Sequence, residues 1–162
     1  MHTMTSAALL LIASLFLGAP MVPAEVTGRW VLREALSDSY NVATGGFASV
    51  DGRIYELALT AQGQFQWNRF IQGTIRNCTR FSLQKLIGTF AVSGTSITFR
   101  PTRARETFRS RGGCASSRDY DRDISTAPFT HLWEVGRGQY GDLRFTLSGG
   151  DIYLTDVYTP VK

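Results

Sequence analysis

Apolar and polar residues alternate in short runs along most of the chain. Nowhere do apolar positions recur at three- and four-residue spacing for the length that a helix needs. In residues 27–34, Trp30 and Leu32 share one face while Arg29, Val31 and Arg33 share the other. Residues 54–60 align Tyr55, Leu57 and Leu59, and residues 64–70 set Phe65 and Trp67 against Gln64, Gln66 and Asn68. Only Ala61, Gln62 and Gly63 separate these two runs, which predicts a hairpin. A second hairpin is predicted from residues 86–92 and 96–100 across Ser93-Gly94-Thr95, with Phe90, Val92, Ile97 and Phe99 on its apolar side. Three further strands are predicted at 130–136, 142–147 and 151–157. In the first of these, either Trp133 with Val135 or Leu132 with Glu134 could face inward. The pattern therefore predicts an all-β chain of eight strands.

If each strand pairs antiparallel with the next, successive connections alternate between the two ends of the sheet. The long connections, 35–53, 71–85 and 101–129, then all fall at one end, and the short hairpin turns between them at the other. Such sorting fits an up-and-down barrel with one elaborated end. Eight strands enclose a space that side chains just fill or that holds one small ligand, and closure removes exposed edges.

The first 24 residues read differently. AALLLIASLFL, from Ala7 to Leu17, is followed by breakers and by Val22-Pro23-Ala24, the pattern of a cleaved export signal, although no Lys or Arg precedes the apolar run. That run is about half of the ~20 residues that a membrane span requires, so no stable membrane anchor is expected. Cleavage after Ala24 leaves 138 of the 162 residues, which is one domain. An exported chain meets oxidising conditions, where Cys78 and Cys114 are expected to form a disulfide. Closing that loop would stabilise the fold by about 3–4 kcal/mol in the chain-entropy picture. The expected location is secreted or periplasmic. Asn77-Cys78-Thr79 would be a glycosylation acceptor in a eukaryotic host.

The Gly28-Arg29-Trp30 tripeptide at the start of the first strand, followed by a long first connection, resembles the lipocalin and wider calycin group of exported barrels. The resemblance implies that Trp30 plugs the closed end and that a pocket opens at the other. The C-terminal helix that many of that group carry has no counterpart here. Inward residues nearest the long-connection end would be Leu32, Tyr55, Trp67, Arg69, Phe99, Trp133 and Leu147, which would either line a pocket or simply fill the barrel.

The net charge of +4 is carried almost entirely by arginine, with Lys85 and Lys162 the only lysines. Arg100, Arg103, Arg105, Arg109, Arg111, Arg118 and Arg122 cluster in the last long connection. They could steer an anionic ligand or form a solvated charged loop. Nucleic acid is not expected, because the aromatic residues lie in strands and only Phe108 and Tyr120 interrupt the basic run. Catalysis has little to stand on. His131 is the one histidine after the signal segment, no nucleophile elbow occurs, and no metal-ligand spacing is present. The expectation is a binding protein, not an enzyme, with no cofactor. Its ligand would be small and partly apolar, anionic if the arginines take part. The alternative is a protein-binding module, for which the secreted metalloprotease inhibitors, also small disulfide-tied barrels, are a precedent.

Overall fold

In the computed structural model, residues 22–41, 46–114, 119–150 and 152–161 are described, with side chains described outside 35–50 and 152–154. Nine strands follow in order: β1 (Gly28–Asn41), β2 (Gly46–Leu59), β3 (Gln64–Ile75), β4 (Cys78–Ser93), β5 (Ser96–Gly112), β6 (Tyr120–Asp123), β7 (Phe129–Arg137), β8 (Leu143–Gly149) and β9 (Ile152–Pro160). Each of the first five pairs antiparallel with its neighbour; β5 then pairs with β7, β7 with β8, β8 with β9, and β9 with β1. Eight strands thus close an up-and-down barrel of the kind expected, consistent with a calycin-like fold. The short β6 attaches to β5 outside the closed ring.

Strand boundaries differ most in the connections read as loops. Much of 35–53, 71–85 and 101–129 is strand: β1 and β2 pair out to Asn41 and Gly46, β3 and β4 out to Ile75 and Cys78, and β4 with β5 from Ser93↔Ser96 to Cys78↔Gly112. The β2–β3 ladder ends at Gly52↔Gln72, so the prolongations rise from one end of the barrel as two pieces, a β1–β2 ribbon and an arm made of β3, β4 and β5. In the β3–β5 arm the side chains are mostly half-buried, with Phe70 on Phe81 and Phe108 on Tyr120, and the register shows it as strand. The sorting of connections to one end holds, with ribbons in place of loops. Of the expected signal segment 1–24, residues 1–21 lie outside the described residues; Val22 packs against the core.

β5 serves two partners, which bends it. Ser96–Phe99 lie opposite β7, whereas Arg105–Phe108 lie opposite β6. The bend is matched by a bulge in β5, where Thr102 is the extra residue between the pairs Ile87↔Arg103 and Gly88↔Pro101. A Cβ on Gly88 would lie 2.2 Å from the carbonyl oxygen of Arg100, so only glycine lets the two backbones approach this closely.

Inward side chains fill the barrel floor. Trp30 packs on Phe145 with ring centroids 5.2 Å apart and donates its indole N–H to the Val26 carbonyl at 3.0 Å. Val26, in the turn that precedes β1, is fully buried, so the closed end is sealed by Trp30 and this turn. Above it, Phe99 touches Phe65, Trp67 and Phe129, which makes the middle of the barrel a continuous aromatic core. Cys78 and Cys114 are disulfide-bonded at the far tip of the arm, 4.8 Å apart at Cα, tying the start of β4 to the end of β5.

Candidate functional site

Where the arm leaves the barrel, the wall divides. β5 departs from β7 beyond Phe99, and the segment 124–128 between β6 and β7 crosses the opening. Beneath this crossing lies a cavity of about 250 Å³, lined by Trp67 and Arg69 of β3, Leu86 of β4, Ser125, Ala127 and Pro128 of the crossing segment, and Phe129 and His131 of β7.

Period-two geometry explains who points inward. Leu132 is half exposed whereas His131 is buried, so β7 turns Phe129, His131, Trp133 and Val135 to the interior. His131 Nδ1 lies 2.9 Å from the Gly149 carbonyl oxygen, an acceptor only, so Nδ1 carries the proton in this contact. The imidazole stands edge-on to Trp67, with centroids 6.2 Å apart, and lies 5.5 Å from Phe129.

A polar layer surrounds the cavity. The Arg69 guanidinium sits over Tyr55 at 5.0 Å and over Trp67 at 5.3 Å, cation–π distances in both cases. Arg53 pairs with Glu34 at 2.5 Å, and its Nη1 lies 3.0 Å from Asp156 Oδ1, an ion pair without hydrogen-bond geometry. Asp156 is 1% exposed; burial pushes its carboxyl above the usual range, against the pull of Arg53, Arg69 and His131. Tyr158 is fully buried and held well above its ordinary value by burial and by the neighbouring Asp156, with Arg69 and the Trp67 indole acting the other way. Four atoms of this layer, Trp67 Nε1, Arg69 Nε, Asp156 Oδ1 and Tyr158 OH, are buried without a hydrogen-bond partner of good geometry.

No family model, curated protein or solved structure matches the chain. Its own geometry therefore carries the argument.

Of the residues singled out from sequence, Trp67 and Arg69 line the cavity directly. Leu32, Tyr55, Phe99 and Leu147 are buried in the barrel interior and do not line the cavity, Leu147 lying directly opposite Trp133. Trp133 stands apart. Its backbone N–H donates to Thr95 O and its indole N–H to Gly94 O, so it docks on the β4–β5 turn at the closed end. Sequence reasoning passed over Phe129, His131, Asp156 and Tyr158. The signal was available for the first two, because an inward Trp133 in a strand requires inward residues at 131 and 129.

Two members of the arginine run are used to hold β6. Arg109 pairs with Asp121 at 2.9 Å and donates to the Phe108 and Tyr120 carbonyls, and Arg122 donates to Glu106 at 2.9 and 2.7 Å. These contacts clip β6 to β5. Arg118 lies outside the described residues. Among the described residues, no group of three or more His, Cys, Asp or Glu is placed to hold a metal ion. No helix among them is long and apolar enough to cross a membrane.

Proposed function

We propose that the chain is a lipocalin-like binding protein whose ligand enters the barrel mouth and rests against Trp67, Leu86 and Phe129, with its polar end at Arg69. The observation that supports this reading best is the coexistence of an aromatic-walled cavity with a buried donor, Arg69 Nε, that has no hydrogen-bond partner. A buried unpaired donor costs about 1–3 kcal/mol, which an acceptor oxygen on the ligand would remove. The cavity is larger than the ~150 Å³ that admits benzene in an engineered protein. It is smaller than the ~300 Å³ at which pockets for drug-sized molecules begin. The size suits a flat ligand of one or two rings bearing a carboxylate or similar acceptor.

Native mass spectrometry of the protein purified from its host should show such a molecule bound, and adding small aromatic carboxylates to stripped protein should quench tryptophan emission. Arg69→Gln should weaken that binding about tenfold or more, as expected for a lost charge-assisted hydrogen bond. Absence of any bound mass together with an unresponsive Trp67 signal, judged against Trp67→Phe, would reject the reading.

A second reading, a protein-docking module, draws on the arm tip. Ile75 is 74% exposed there, beside the disulfide that braces the hairpin. A pull-down that recovers one stoichiometric partner with the wild-type chain and loses it with Ile75→Asp would favour it.

A further inference from the structure

From Leu57 to Arg105 the chain contains no Asp or Glu but seven Lys or Arg, leaving ten basic against thirteen acidic residues elsewhere. This stretch is β3, β4 and the first part of β5, which are adjacent in the sheet. Of these seven, Arg69 faces the cavity and Arg76 and Arg80 lie beyond the barrel on the β3–β4 prolongation, so Lys85, Arg100, Arg103 and Arg105 remain as the cations of this sector of the barrel wall.

The outer surface of that sector holds a groove of about 470 Å³, away from the mouth. Its lining includes Thr60, Gln64, Gln66, Thr89 and Thr102, all exposed and all neutral hydrogen-bonding side chains, with Ile87 beside them. Gly88 and the bulged Thr102 opposite it also line the groove, which therefore lies where β5 bends. Arg100 lies opposite Thr89 in the register and Arg103 opposite Ile87, while Lys85 stands one step along β4 on the same face; all three are exposed. Arg105, the next cation of that face, has Asp123 opposite it in the register and acts on Asp121, so it is set nearer the acidic β6 than the groove.

We propose that this groove binds an acidic polysaccharide, with sugar hydroxyls on the threonine and glutamine side chains and carboxylate or sulfate groups on Arg100, Arg103 and Lys85. The lining decides among polyanions. Single-stranded nucleic acid needs exposed aromatic faces on which bases stack, and the one aromatic residue of the groove, Phe65, is buried in the core. An anionic bilayer would call for a broad apolar face with large side chains to insert, whereas the apolar lining here is Ala58, Ile87 and the buried Phe65, set among five amide and hydroxyl side chains. Arginine's planar fork matches carboxylate and sulfate oxygens two at a time.

The test uses a fluorescein-labelled heparin octasaccharide at physiological ionic strength, read by anisotropy, with a single-stranded DNA 20-mer and neutral dextran as comparators. The wild-type chain should bind the octasaccharide at least tenfold more tightly than the DNA and should ignore dextran. The triple variant Lys85→Gln/Arg100→Gln/Arg103→Gln should lose roughly tenfold or more in affinity, as expected for lost charge-assisted contacts. The exposed pair Gln64→Ala/Gln66→Ala should lose several-fold without altering the salt dependence, since it removes no charge. Equal affinity for DNA and octasaccharide, or affinity untouched by the Gln64/Gln66 pair, would reduce the surface to a general polyanion attractor and overturn the proposal, as would no binding at all. Circular dichroism matching the wild type certifies each variant as folded.

Discussion

Glu106 is 8% exposed and sits where β6 joins the arm. Its Oε1 accepts from Ser82 Oγ at 3.1 Å and Gln84 Nε2 at 3.2 Å; its Oε2 accepts from Arg122 Nε at 2.9 Å, Arg122 Nη2 at 2.7 Å and Tyr120 OH at 3.2 Å. Glu106→Gln keeps the shape and removes the charge. The amide would place its oxygen toward Arg122 and Tyr120 and its NH₂ toward Ser82, which can rotate to accept, and Gln84, which can flip. What disappears is charge assistance on two guanidinium bonds, about 1 kcal/mol each, from the difference between charged and neutral hydrogen bonds. The Arg122 side chain is 61% exposed and partly screened, so the expected loss is about 1–2 kcal/mol at pH 7. Burial tends to raise the Glu106 carboxyl, but bonds from Arg122, Gln84, Ser82 and Tyr120 outweigh it and hold the group below its usual range. A carboxyl depressed in the folded state stabilises above its unfolded value of 4.5 and ceases to do so as pH falls through the folded value. Urea unfolding of wild type and variant should therefore show a gap at pH 7 that narrows once pH falls below 4.5 and closes as it passes the lower folded value. Amide exchange of Tyr120–Asp123 should accelerate in the variant at neutral pH. A gap that persists undiminished at pH 3, or no gap at pH 7, would refute the assignment.

Gly88→Ala drives a methyl group into the Arg100 carbonyl and should destabilise by about 1–3 kcal/mol, measured as a lower urea midpoint with an unchanged slope. Cys78→Ser/Cys114→Ser should cost about 2–4 kcal/mol, and the same loss should follow reduction of the wild type by dithiothreitol. A chain beginning at Glu25 lacks the acceptors of the Val26 N–Pro23 O and Thr27 N–Ala24 O bonds. It should be less stable than one beginning at Val22 by roughly 1–2 kcal/mol in paired denaturation curves.

The barrel was legible because its walls obey period two. Trp30, Leu57, Phe65, Trp67, Phe99 and Leu147 each sit in a run whose alternate residues are polar, and all are buried. The arm was not, since its alternating stretches, Ile71-Gln72-Gly73-Thr74-Ile75 and Phe81-Ser82-Leu83-Gln84, are short and interrupted by Arg76-Asn77 and Thr79-Arg80, and the register is what reveals them as strand. Trp67 and Arg69 could be placed in the mouth from parity alone. Trp133 could not be separated from them, because strand stagger sets its height in the barrel and no local pattern records stagger. Asp156 and Tyr158 were hidden for a different reason. A buried carboxylate runs against composition rules and becomes intelligible only beside Arg53, which lies more than a hundred residues away in sequence.

The join between β1 and β9 consists of Trp30↔Pro160 and Val31↔Thr159, whereas β4 and β5 are paired along almost their whole length. Ring closure is thus thinnest where the chain's two ends meet. Thermal breathing, hydrogen exchange and mechanical pulling on the termini should all begin at this zipper, peeling the last strand away while the β2–β5 sheet stays intact. Covalently linking the ends and cutting the chain elsewhere should therefore raise the unfolding barrier more than deepening the core would.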